Sequence, residues 1–154
     1  MKIAMANDHA GTFMKNEIKA YLESQEHTVV DFGTYDEESC DLSDFVLPAA
    51  LAVAKGECDK GIFCDGVGYG SALIANKING CYAAVCQDPV CAALARQHTD
   101  SNVNKGEIQD TAPVGNFEKL VKLLILKSVL PFQNSQKLQG CHRKEWHTEK
   151  AKKR

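Results

Sequence analysis

The chain is poor in the features that would mark a membrane, secreted or nucleic-acid-binding protein. No segment approaches the ~18 uncharged apolar residues of a spanning helix, and residues 1 to 7 lack the apolar core of ~7–15 residues of a secretory signal. A cytoplasmic protein with no membrane partner is expected. The formal net charge of −2 shows little excess of either sign, so no nucleic-acid partner is expected. The basic end, Lys150, Lys152, Lys153 and Arg154, reads as a solvated helix terminus. C-x-x-C spacing is absent from Cys40, Cys58, Cys64, Cys81, Cys86, Cys91 and Cys141, an odd set in mostly apolar surroundings, which points to reduced, mainly buried thiols. His142 and His147 are not an i, i+4 pair, so neither a metal nor another cofactor is expected. Only 7% of residues are aromatic, but 44% are hydrophobic and 25% charged, the balance of an ordinary globular chain.

At 154 residues the chain suits one domain. Short apolar runs at 2 to 6, 28 to 32, 61 to 64 and 82 to 86 alternate with amphipathic stretches, which predicts βαβ units and a parallel sheet. In the first helix Phe13, Ile18, Tyr21 and Leu22 should face the core, and Lys15, Glu17, Lys19 and Glu23 solvent. A second helix is predicted over about 41 to 55, capped by Asp41 or Ser43, with Pro48 kinking it or shifting its start. Further helices are expected around 71 to 77, 89 to 97 and 116 to 129, and a polar fifth strand at 103 to 108. The domain is drawn at 1–133. Residues 134–154, with few large apolar side chains, are expected to form a helical tail docking on a partner subunit.

Ligands of parallel α/β sheets collect at the carboxyl ends of strands. Three groups of polar residues fall there: Asp8 with His9, Asp65 through Ser71, and Gln87 with Asp88. In the second, Gly66, Gly68 and Gly70 alternate between a strand and a helix, so backbone N–H groups can converge on a phosphate or an oxyanion. The spacing is neither the dinucleotide nor the P-loop pattern, which disfavours a nucleotide-binding domain. Asp65 at the head of this loop is either a proton acceptor or partner for sugar hydroxyls, or a helix cap. His9 can bind phosphate or hydroxyls, and His98 can shuttle a proton near neutral pH; a surface position is the alternative for each.

These residues stand in an order that resembles the ribose-5-phosphate isomerase B family, which includes the galactose-6-phosphate isomerase subunits. The carrying segments are Met1 to Ala4, Asp8 to Gly11, Val30 to Tyr35, the glycine loop into Ala75, Asn76 and Lys77, and Arg96 to His98 with Asn102, within residues 1 to 110. The resemblance implies a Rossmann-like three-layer α-β-α sandwich with a five-stranded parallel sheet. It also implies a homodimer or homotetramer with sites at subunit interfaces, and metal-free aldose–ketose isomerisation of a sugar or sugar phosphate through an enediolate. It places Asp8 and His9 on the sugar and phosphate, Gly66, Gly68 and Gly70 on the enediolate oxygen, and His98 at ring opening.

Several positions depart from the family pattern. Asp65 stands where many members have a cysteine base, and Val67 where they have threonine. Ser71 stands where some carry a carboxylate base, and Thr99 replaces the asparagine after the ring-opening histidine. Asp41, Leu42 and Ser43 replace Asp-Tyr-Pro. Gln109, Cys141 and Glu145 replace phosphate-gripping arginines, leaving His142, Arg143 and Lys144 as substitutes and making a non-phosphorylated sugar a second possibility. Asp65 is the expected base. A strand bulge bringing Cys64 into its place, and a non-catalytic subunit completing a partner's site, are the alternatives.

Overall fold

The structure, a computed structural model, describes residues 1–106. Strands β1 (Lys2–Asn7), β2 (Thr28–Asp31), β3 (Lys60–Cys64), β4 (Ala83–Cys86) and β5 (Val103–Gly106) alternate with helices α1 (Thr12–Ser24), α2 (Leu42–Ala54), α3 (Tyr69–Asn76) and α4 (Pro89–Thr99). All strand pairings are parallel, in the order β2-β1-β3-β5-β4. The fifth strand inserts between β3 and β4, a placement that periodicity along the chain does not encode.

β1 is an inner strand buried on both faces, which is why Ile3, Ala4, Met5 and Ala6 run without polar alternation. Successive side chains face opposite ways, and each face gathers its own cluster. Ile3, Met5, Ile62 and Cys64 pack with Ile18 and Leu22 of α1. Ala4, Ala6 and Phe63 pack with Val46, Ala49, Ala50 and Val53 of α2 and Ala75 of α3. Ala84 and Cys86 meet Ala92 and Ala95 of α4. Because Ile62 and Ala84 share the level of Asn104 in the sheet, α4 lies on the α1 side. The helices thus cover both faces.

The first helix corrects two expectations. Phe13 is 76% exposed, and Lys15, expected to face solvent, is 0% exposed. Lys15 is tolerated inside because its Nζ donates to the Thr34 carbonyl at 2.7 Å, pairs with Asp31 at 3.2 Å and lies 4.1 Å from the centre of the Tyr35 ring. The second helix begins at Leu42, capped by Asp41, and continues through Pro48. Cys58, Cys64, Cys81 and Cys86 are buried, whereas Cys40 and Cys91 are partly exposed. No described helix is long and apolar enough to cross a membrane. The helix expected over 116 to 129, the 134–154 tail, His142 and Arg143 lie outside the described residues.

Candidate active site

From β1 the chain passes through α1 to β2 on one side, then through α2 to β3 on the other. The crevice between the carboxyl ends of β1 and β3 is therefore the point of strand-order reversal where open parallel sheets bind ligands. Asp8 and Asp65 each follow the last residue of one of these strands. The Asp8 amide donates to the Cys64 carbonyl at 3.3 Å, joining the two ends. A single 3-10 turn, His9–Gly11, then packs on β3 so closely that a Cβ on Gly11 would lie 2.2 Å from the Cys64 carbonyl oxygen.

Asp8 caps this turn by accepting from the Gly11 amide at 3.0 Å. The His9 ring has its Nδ1 enclosed, without a hydrogen-bond partner among the described residues. Two residues missed at the sequence level hold the same turn. Asn7 Nδ2 donates to the Asp8 carbonyl at 2.8 Å and to Thr12 Oγ1 at 2.9 Å. The Thr12 hydroxyl lies 3.1 Å from the His9 carbonyl and 3.0 Å from that of Asp36. The available signal was an asparagine closing an otherwise apolar strand.

The glycine loop forms a cradle, and the acid at its head fills it. Asp65 is 5% exposed. Its Oδ1 accepts from the amides of Val67, at 3.0 Å, and Gly68; its Oδ2 accepts from the Ser71 amide at 3.1 Å and the Ser71 hydroxyl at 2.5 Å. Four donors match the four acceptor positions of an ionised carboxylate. Gly68, at φ 99°, begins α3 with no side chain to cap it, and Asp65 supplies the cap from three residues upstream. Helix α3 accordingly starts at Tyr69, ahead of the expected 71. Gly66 sits over Ala10, where an added Cβ would be 3.2 Å from that methyl, and Gly70 faces Leu42 and Asp65.

Cys64 stays out of this crevice. The register runs unbroken to Asn7 opposite Cys64, so there is no bulge, and its fully buried side chain belongs to the α1-side cluster.

The structure does not bring His98 and Thr99 to the same place within one chain. Helix α4 starts at the carboxyl edge of β4, and its 11 residues, at about 1.5 Å each, descend roughly 16 Å. It ends where Asn102 bonds to Tyr82 at the amino edge of β4. His98 is exposed there, at the opposite edge from Asp8 and Asp65. The Thr99 hydroxyl bonds to the Ala95 carbonyl at 2.6 Å. Asp88, in the third polar group, caps α4 by accepting from Val90 at 2.7 Å and Cys91 at 2.8 Å. The bonds from Cys91 hold its carboxyl below the usual carboxylate range.

The ribose/galactose isomerase family matches this chain over residues 3–104. Ribose-5-phosphate isomerase B of Escherichia coli K12 is 45% identical over 102 residues, 66% of this chain and 68% of that protein. Among solved structures, ribose-5-phosphate isomerase B of Clostridium thermocellum has a TM-score of 0.79 at 33% identity, covering 98% of this chain and 99% of that one. The enzyme of Mycoplasma genitalium, solved with ribulose 5-phosphate bound, has a TM-score of 0.78 at 30% identity, covering 92% of this chain and 94% of that one. With the match running from β1 into β5, over residues 3–104, the chain belongs to the ribose/galactose isomerase family.

Proposed function

We propose that the protein is a metal-free aldose–ketose isomerase of a sugar phosphate, interconverting ribose 5-phosphate and ribulose 5-phosphate through an enediolate on a five-stranded Rossmann-like sandwich. The observation that carries this reading is the placement of Asp65, a nearly buried carboxylate at the carboxyl end of β3, beside Asp8 and His9 at the strand-order reversal. Asp65 takes the proton from C2 of the open-chain aldose and returns it to C1, while a proton moves between the two oxygens. To accept it, Oδ2 exchanges the Ser71 hydroxyl for the substrate. Amides of the Gly66, Gly68 and Gly70 loop hold the enediolate oxygen, that of Gly68 turning to it from Asp65 Oδ1.

Asp8, His9 and Ser71 then contact hydroxyls or phosphate, as does Thr99 from the copy that supplies His98, with His142 and Arg143 as the cationic end of the site. His98 opens the sugar ring. Since it stands at the opposite edge from Asp65, a second copy of the chain supplies it, so the working unit is a homodimer or homotetramer with shared sites. The test is formation of ribulose 5-phosphate from ribose 5-phosphate by the purified chain, lost in Asp65→Asn and kept in Cys64→Ala. The reverse pattern would refute the assignment.

One observation favours a second reading, a non-catalytic subunit that completes a partner's site: all four acceptor positions of Asp65 are engaged by its own loop. Under that reading the purified chain binds the sugar phosphate and converts none.

A further inference from the structure

We infer that Asn7 and Thr12 are positioning residues that set the Asp8–His9 turn for substrate, an inference that rests on the proposed role of that pair. Asn7 is fully buried at the end of an apolar strand, and its Oδ1 has no partner among the described residues. That oxygen lies over Gly33, where an added Cβ would be 1.8 Å away. A buried unpartnered acceptor is unfavourable, and an apolar side chain of similar size would avoid it. What Asn7 provides instead is its two donations, to the Asp8 carbonyl and to Thr12.

Thr12 extends the hold. Its hydroxyl accepts from Asn7 and has one proton for the carbonyls around it: His9 at 3.1 Å, Asp36 at 3.0 Å and Asp8 at 3.4 Å. The turn carrying Asp8 and His9 is thereby tied to β1 beneath it and to the loop after β2 beside it. That loop is itself anchored by buried Lys15 on the Thr34 carbonyl. The bonds of this network end on the carbonyls of Asp8, His9 and Asp36, so its expected effect is on substrate affinity rather than on the proton-transfer step.

The experiment compares the full chain with Thr12→Val, Thr12→Ser and Asn7→Leu, each first confirmed folded by thermal melting. Thr12→Val and Asn7→Leu are expected to raise KM for ribose 5-phosphate about tenfold with kcat within about twofold, while Thr12→Ser stays near wild type. Asn7→Leu also removes the unpartnered oxygen, so a purely structural role predicts unchanged or raised thermal stability with unchanged KM. That result overturns the inference, as does Thr12→Ser matching Thr12→Val. A second readout, the His9 ring proton shifts by NMR without any sugar, is expected to move in Thr12→Val and return in Thr12→Ser. Identical shifts in all variants would overturn the inference even if wild type proved inactive on ribose 5-phosphate, a result that would instead refute the proposed substrate.

Discussion

Asp65 illustrates how far a single residue could be read. A strand followed by alternating glycines placed an acid at the mouth of an anion cradle. Whether that acid faces a ligand or its own loop depends on the φ 99° turn at Gly68 and the return of Ser71 onto Oδ2, neither of which local sequence specifies. Asp65→Asn should lower kcat by at least about 100-fold, the lower end of what a positioned base contributes. It should also lower the melting temperature, because the single oxygen of an Asn side chain cannot accept from both the Val67–Gly68 amides and Ser71, and its nitrogen accepts from neither. Steady-state assays and thermal melts measure the two effects separately. Cys64→Ala should cost about 1 kcal/mol in urea unfolding, as a small core truncation, with activity within about twofold. A large activity loss there would move the base to the strand's other face.

At the scale of elements, apolar runs and caps located most of what was found. The strands expected at 2 to 6, 28 to 32, 61 to 64 and 82 to 86 appear within a residue or so, since each pairs into a parallel sheet covered by helices. Lys15 was misread because a 3.6-residue period reports which face a residue shares, not that Asp31 and Thr34 wait there to receive an ammonium. The 3-10 turn after β1 depends on glycine. Gly11→Ala should lift Asp8 and His9 off β3, because a backbone carbonyl stands 2.2 Å from the added carbon. The expected outcome is loss of activity with reduced stability, measured by assay and melting.

Helix caps carry the pH dependence at this scale. The carboxyls of Asp41 and Asp88 are held below their usual range, chiefly by bonds from Ser43 and Cys91 respectively. A depressed folded-state pKa means that this stabilisation is full above the unfolded value, near pH 4, and is lost as pH falls through the folded value. Asp88→Ala should therefore melt below wild type at pH 7, and the gap should close on acidification below about pH 4. A gap that persisted in acid would remove the charge from the explanation.

In the whole molecule, the β4-α4-β5 crossover separates what the sequence lines up. His98 reads as part of one catalytic set with Asp8 and Asp65, yet α4 carries it to the far edge. The crossover from β4 decides this: a helix that starts at the carboxyl edge and runs 11 residues ends at the amino edge. If sites are shared between copies, mixing Asp65→Asn with His98→Ala chains should restore about a quarter of wild-type activity, because half the dimers hold one intact site. Failure of such mixtures, with exchange of subunits verified, would place His98 outside the chemistry. Enediolate chemistry at Asp65 is tested by following ribose 5-phosphate by NMR in deuterated water. Wild type is expected to form ribulose 5-phosphate with deuterium entering at the carbons that exchange the proton, and Asp65→Asn to show neither event. Absence of both events with wild type, or their persistence in Asp65→Asn, would contradict it.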